Sequence, residues 1–271
     1  MRIWHHSFTV LGNLPPYAAA LQEHFARVAA PGTEVVMHGM HPGTYQTEYP
    51  GNDIKFAYFQ TLHSQQFVMG AIAAEEQGFD AFALATLPEP SLQEIRSIVD
   101  IPVVGYGESA MLAATMLGQR IGVLLFIQGM AGTVERNVER MGLASRFVGA
   151  HEVGFGFTDV LAGYAGDTAP LIERFRADAR ALIARGADVI IPGEAPLCLL
   201  LAKAGVNEVD GVPVVDSLAA TIKTAEMMVG LRQVTGVSPN RRGYFQAKPP
   251  RARVKELLGF YGLNQLPNRP G

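Results

Sequence analysis

Two side chains able to do chemistry stand at matching places in this chain. The stretch Gly186-Ala-Asp-Val-Ile-Ile-Pro-Gly-Glu-Ala-Pro196 aligns without gaps on Gly78-Phe-Asp-Ala-Phe-Ala-Leu-Ala-Thr-Leu-Pro88. Gly78 falls on Gly186, Asp80 on Asp188, Thr86 on Glu194 and Pro88 on Pro196. Each short apolar run, flanked by Gly and Pro, reads as a strand buried on both faces of a parallel sheet. Ligands of open α/β folds sit just beyond the carboxyl ends of such strands, where Thr86 and Glu194 stand. A carboxylate in an apolar cleft has a raised pKa and can carry a proton near neutrality. A threonine hydroxyl is far too weak an acid to act unaided, and reads as a hydrogen-bond donor to a carbonyl or carboxylate. The pair therefore points to one-sided proton transfer next to a carbonyl. Glu194 is the acid/base, and Thr86 with adjacent backbone N–H groups holds an enolate-like oxygen. A purely structural alternative makes Glu194 an N-terminal acid of the following helix, favoured there by the dipole.

Histidines are the next candidates. His5 and His6 fall in the first expected strand, His38 and His41 at the end of the second, and His63 in the helix after it. If those strands are neighbours, His6, His38 and His41 approach the cleft mouth. An imidazole titrates in the range a second base needs, and with Glu194 it could hold a metal. Tight ligand spacing such as His-Glu-x-x-His is missing, and alternation lets only one of His5 and His6 face the site. The expectation is a catalytic His6, no metal and no cofactor. Tyr45 and Tyr49, in the long polar connection 41–52, are placed to close over a ligand. Leu87, Pro88 and Ala195 flank the two strand-end residues. Glu108 and Ser109 follow the fourth strand as helix-cap residues and ligand contacts. The glycine-rich Val153–Thr158 and Gly105-Tyr-Gly107 lack the spacing of a phosphate-binding loop or a dinucleotide fingerprint.

The repeat extends to the elements that position these residues. Pro102-Val-Val matches Pro213-Val-Val, and each precedes an Ala-, Met- and Thr-rich helix ending at Gly118 or Gly230. Strands are expected over 2–7, 33–38, 80–85, 103–105, 121–125, 189–191 and 212–215. Helices are expected over 15–30, 57–77, 91–99, 108–117, 133–141 (with Thr133 as N-cap), 169–185, 196–204, 217–229 and 251–258. Alternating strands and helices imply parallel sheets with right-handed crossovers. The fold class is α/β, with two pseudo-symmetric Rossmann-like lobes, each with a mostly parallel sheet, and a ligand cleft between them. Residues 1–118 and 213–234 form the first lobe and 119–212 the second. A tail, 235–271, packs on the body or on a partner subunit.

Composition narrows the function classes. The chain has 271 residues, 48% hydrophobic and 17% charged, with a net charge of −3. That is a globular composition, and it gives no reason to expect nucleic acid or a membrane surface as partner. No apolar run reaches transmembrane length. Met1-Arg-Ile-Trp-His-His runs straight into a strand, so no signal peptide is expected. Cys198 is the single cysteine, which excludes an internal disulfide and reads as a buried helix residue. A cytoplasmic enzyme acting on a small molecule is the expectation.

Four stretches carry a family resemblance: Ala83-Leu-Ala-Thr-Leu-Pro-Glu-Pro90, Ile101-Pro-Val-Val-Gly-Tyr-Gly-Glu-Ser-Ala110, Gly186-Ala-Asp-Val-Ile-Ile-Pro-Gly-Glu-Ala195 and Gly211-Val-Pro-Val-Val-Asp-Ser-Leu-Ala-Ala220. Together they make residues 1–245 resemble the aspartate/glutamate/hydantoin racemase superfamily, most of all its hydantoin racemase branch. The resemblance implies a cofactor-independent isomerase of two α/β lobes, a homo-oligomer, and substrate contact by the end of the first strand (His6, Ser7). It also implies a cysteine at the end of each lobe's third strand. Those positions hold Thr86 and Glu194, so thiol chemistry does not carry over. The expected activity is proton transfer next to a carbonyl of a small carboxylate or cyclic amide. Hydrolase or lyase chemistry, with Glu194 and a histidine or metal activating water, is the second reading. A non-catalytic binding protein that keeps the cleft is the third.

Overall fold

The structure is a computed structural model that describes residues 1–263. The first half runs β1 (Arg2–Ser7), α1 (Pro15–Val28), β2 (Glu34–His38), α2 (Gly51–Ile54), α3 (Ala57–Glu76), β3 (Ala81–Ala85), α4 (Leu92–Ile98), β4 (Val103–Gly105) and α5 (Tyr106–Leu117). Its strands pair in parallel in the order β2-β1-β3-β4. The second half runs β5 (Ile121–Leu125), α6 (Ala131–Arg140), β6 (Phe147–Glu152), α7 (Phe157–Gly163), α8 (Ala169–Ala184), β7 (Val189–Pro192) and α9 (Ala195–Lys203). Its strands pair in parallel as β6-β5-β7. A small hairpin of β8 (Glu208–Val209) and β9 (Val212–Pro213) leads into α10 (Ser217–Thr235), and α11 (Arg251–Phe260) lies in the tail.

The repeat seen in the sequence is a repeat of pairing. Val214 bridges Ile190 in parallel, and the Val215 N–H donates to the Ile190 carbonyl at 2.9 Å. Pro213-Val-Val therefore lies beside β7 as Pro102-Val-Val lies beside β3. The chain then returns to the first sheet, where α10 packs on α5 and β3. Asp216 makes that return, its carboxylate capping α10 by accepting from the Ala219 N–H at 2.9 Å. Two parallel sheets with their inner strands covered on both faces account for the fully buried Ala81–Ala85 and Ile121–Leu125. One continuous apolar core joins them.

The differences from expectation have local causes. Edge strand β6 and helix α7 were not expected, because Phe147–Glu152 is half-buried along its whole length and lacks clean alternation. Helix α6 begins two residues before Thr133, so Thr133 is not its N-cap. Its hydroxyl instead accepts from Arg136 at 3.0 Å. No helix among the described residues is long and apolar enough to cross a membrane. In the tail, Arg241 and Lys248 pair with Asp100, and Arg251 pairs with Glu75.

Three histidines are built into the first sheet. His5, on one face, lies 4.8 Å from the Phe25 ring. His6, on the other, packs edge-on to Phe67 at 4.9 Å, and His38 stacks on Trp4. Gly70 of α3 makes room for His6, since a methyl there would meet its Nδ1 at 2.5 Å. Burial, with the charge of His38, lowers His5 to about 3, and burial lowers His38 to about 4. His6 is held well below its ordinary value, mainly by burial. Folded values below 6.5 mean that the stability these groups contribute is complete above that pH and is lost as pH falls. Glu89 and Glu194, raised to about 7, act in the opposite sense between 4.5 and 7. The histidine contribution is therefore isolated by difference. From pH 7.5 to pH 5, the wild-type chain should lose roughly 2 kcal/mol more unfolding free energy than His5→Leu. Denaturant titrations of the two proteins at both pH values check it.

Candidate active site

The carboxyl ends of β1, β3, β5 and β7 meet around one small cavity of about 60 Å³. The end of β1 supplies Ser7, the chain after it Phe8 and Thr9, and the chain after β3 supplies Thr86, Leu87 and Pro88. The turn after β5 supplies Phe126 and Ile127, and the chain after β7 supplies Glu194, Ala195 and Pro196. Tyr17 of α1, Met130, Phe157, Ile54 and the segment Tyr49-Pro-Gly51 complete the wall. A water needs about 10–15 Å³ in this measure, so the cavity holds a handful of small groups.

Glu194 lies between β7 and α9, and is 5% exposed. Both of its carboxyl oxygens accept from the Phe126 N–H at 3.1 Å, and Oε1 also accepts from the Ile127 N–H at 2.9 Å. Burial raises its pKa to about 7. The two amides pull the value down, and the charge of Glu152 pushes it up. A glycine is required just before it. A methyl on Gly193 would meet Leu125 Cδ2 at 2.5 Å, and both the Leu124 carbonyl and Leu87 Cδ2 at 3.0 Å. Gly193 is thus pressed between β5 on one side and Leu87 of the turn after β3 on the other.

Thr86 is 7% exposed and lines the same cavity. Its carbonyl accepts from the Glu89 N–H at 3.2 Å, while its hydroxyl makes no hydrogen bond among the described residues. Ser7 and Thr9 share a hydroxyl–hydroxyl bond of 2.8 Å. Tyr49 stacks on Phe157 with ring centres 4.8 Å apart. Burial, then the neighbouring Glu194 charge, pushes its hydroxyl up to about 12.

Of the expected residues the structure brings together Thr86, Glu194, Ser7, Leu87, Pro88, Ala195 and Tyr49, and leaves out His6, Tyr45, Glu108 and Ser109. His6 points to the α3 side of the sheet, between Phe67 and Phe82, because strand alternation gives the opposite face to His5 and neither ring reaches the cavity. Tyr45 is turned inward, its hydroxyl donating to the Phe8 carbonyl at 2.7 Å. Glu108 heads α5 and is held by Arg96. His63 bonds Asp53 at 3.1 Å. The thiol of Cys198 is buried, accepts from the Ser217 N–H at 3.2 Å and is pushed up to about 12 by burial. Among the described residues no three His, Cys, Asp or Glu side chains gather as a metal set. Tyr17, Thr9, Phe126 and Ile127 were missed. Only the strand-end position of Phe126 and Ile127, directly after β5, could have marked them.

A profile of the family described as Asp/Glu/Hydantoin racemase matches residues 16–225. This chain belongs to that family. The chain is 32% identical over 162 residues to a hydantoin racemase of Pseudomonas sp. (strain NS671), covering 59% of this chain and 63% of that protein. It is 26% identical over 159 residues to a hydantoin racemase of Paenarthrobacter aurescens, covering 59% and 65%. The chain thus spans just under two thirds of the length of these relatives. Among solved structures it resembles allantoin racemase from Klebsiella pneumoniae, with a TM-score of 0.74 and 23% identity over 92% of this chain and 94% of that one. Allantoin racemase from Pseudomonas fluorescens gives 0.72 and 24%, over 92% and 97%. These likenesses show the two-lobed racemase fold. Within it, the two repeat-related strand ends of this member carry a threonine and a glutamate.

The Glu194 carboxyl has a structural duty as well as a candidate chemical one. Glu194→Ala leaves the Phe126 and Ile127 amides without their acceptor and should cost roughly 2–3 kcal/mol, whereas Glu194→Gln, which keeps one oxygen, should cost no more than half of that. Unfolding free energies at pH 7 measure both.

Proposed function

We propose that this member of the racemase family moves a proton at a carbon beside the carbonyl of a small, neutral cyclic amide, with Glu194 as the proton carrier and no cofactor. The observation that carries this is the composition of the cavity wall. It has one carboxyl group, several hydroxyls and apolar surface, with no Lys, Arg or His among the lining residues. A substrate carboxylate would enter a dry site beside Glu194 without a counter-charge, which is costly. A neutral ring with N–H and C=O groups needs only hydrogen bonds. Hydantoin and allantoin, named in the relatives and structural neighbours, are rings of this kind.

The mechanism follows from the groups present. The Glu194 carboxylate, anchored by the Phe126 and Ile127 amides, removes the proton next to the ring carbonyl. A pKa of about 7 lets the same group take the proton and give it back near neutrality. The negative charge passes to the carbonyl oxygen. The unpartnered Thr86 hydroxyl and the N–H groups that follow it are the donors offered to that oxygen. The remaining cavity hydroxyls do not titrate near neutrality, Tyr49 being pushed up to about 12. The proton therefore returns to the face from which it left.

In heavy water, a 5-substituted hydantoin should lose its C5 proton signal faster than it loses optical rotation. The exchange rate should rise with pH through an inflection near 7, as Glu194 ionises. Glu194→Gln should lower exchange by at least a thousandfold and Thr86→Val by roughly ten- to a hundredfold. Proton NMR with polarimetry reads both. Unchanged exchange in Glu194→Gln removes the assignment, and inversion as fast as exchange requires a second base.

A further inference from the structure

Glu89 is a buried carboxyl that the proposed reaction does not use. It is 4% exposed and lies three residues after Thr86. Its backbone is left-handed, with φ 48°, a conformation costly for a residue with a Cβ. Ser91, two residues on, is also left-handed at φ 60°. Something must offset this strain, and the surroundings show what does.

The Glu89 side chain fills a slot shaped by two glycines. A methyl on Gly105 would overlap Glu89 Oε1, and one on Gly107 would sit 3.4 Å from the same carboxyl. In the slot, Oε1 accepts from the Glu108 N–H at 2.7 Å, in the first turn of α5. That amide is one of the orphan donors of a helix start, so the bond ties Glu89 to a rigid element. At its other end the residue closes the turn, its N–H donating to the Thr86 carbonyl at 3.2 Å. The first three residues of that turn, Thr86-Leu-Pro88, line the cavity. From the second half of the molecule, Asn137 of α6 also donates to the Pro88 carbonyl, at 3.3 Å.

We propose that Glu89 is the positioning residue of this site: its carboxyl, wedged between Gly105 and Gly107 and bonded to the head of α5, holds the Thr86 turn in the left-handed form that aims the Thr86 hydroxyl into the cavity. The role rests on the proposed ligand contact of Thr86. It assigns work to the acid of Thr86-Leu-Pro-Glu-Pro90, which neither the repeat nor the strand pattern explains, since Glu89 matches Leu197 in the second copy. The charges facing the carboxyl are Glu108 of α5, Arg96 of α4 and Arg140 of α6. Arg96 is already engaged by Glu108, which leaves the α5 amide as the bond that locates Glu89.

Two substitutions separate the carboxyl from the strain. Glu89→Gly removes the wedge and also relieves the left-handed backbone, so a residue that mattered only through strain would gain stability and keep a tight turn. Glu89→Gln keeps the shape and one acceptor oxygen. Hydrogen exchange of the ligand-free protein at pH 7.5 is read at the amides of Glu89 and Glu108, with melting temperature as the control for folding. The expected result is exchange at least tenfold faster at both amides in Glu89→Gly, and within about threefold of wild type in Glu89→Gln. With 5-substituted hydantoins, Glu89→Gly should lower the C5 proton-exchange rate while leaving the pH inflection of Glu194 in place, and Glu89→Gln should keep it near the wild-type value. Equal protection in wild type and Glu89→Gly overturns the proposal, as does loosening by Glu89→Gln equal to that by Glu89→Gly. A shift of the inflection in Glu89→Gly overturns it too, since the residue would then act through Glu194. Failure of every hydantoin to exchange would instead count against the proposed reaction, and the ligand-free exchange data would still decide the role of Glu89.

Discussion

The carboxyl group of Glu194, buried and bonded to the amides that follow β5, is the contact on which the site depends. Parallel strands release their chains at one edge, and each chain leaving the edge carries N–H groups without a ladder partner. After β5 those groups belong to Phe126 and Ile127, and Glu194 accepts from both. The bonds favour the ionised form while burial opposes it, and burial wins, leaving the group near 7. Ionising the carboxyl therefore costs stability as pH rises through 7, while its bonds to the two amides still hold the turn after β5.

That contact requires the two halves of the molecule to meet closely. Gly193 lets the end of β7 approach Leu125 of its own sheet and Leu87 of the turn after β3. Leu87 is flanked by Thr86 and Pro88, so this close approach lies next to both Glu194 and Thr86 in the chain. The two sheets share a strand order, and α10 crosses from the edge of one to pack on the other. The cavity is therefore bounded by four strand ends whose relative positions are fixed by core packing. The segment from Tyr49 through α2 to Ile54 supplies the cover.

Much of this was legible in the residues. The gapless match of 78–88 on 186–196, with Pro102-Val-Val on Pro213-Val-Val, anticipates two related parallel sheets, because buried parallel strands leave short apolar runs with glycine and proline at their ends. It also placed Thr86 and Glu194 on one cavity. Edge strand β6 was not legible, since a half-buried edge needs no strict pattern. The histidines misled because their titration range says nothing of direction. One residue of register sends His5 to Phe25 and His6 to Phe67, and packing against α1 and α3 was not written in the local sequence. Tyr45 and Tyr49 share one loop, yet one is turned inward to the Phe8 carbonyl and the other lines the cavity. Main-chain groups such as the Phe126 amide carry no mark at all in a one-letter string.

The size of the cavity then bears on how a ligand enters. About 60 Å³ is far less than the roughly 300 Å³ at which pockets for drug-sized ligands begin. A five-membered ring with a substituent does not pass a wall this tight without movement of its cover. The strand ends are held in the core, and the segment Tyr49–Ile54 forms the cover; the Tyr49 ring rests on Phe157 through a stacked contact, and its hydroxyl makes no hydrogen bond among the described residues. Opening there would admit both ligand and water, and water would solvate Glu194 and draw its pKa down towards an ordinary carboxylate. Closing would expel water and restore the raised value. If Glu194 carries the proton as proposed, its affinity for that proton depends on how far Tyr49 keeps water from the carboxyl.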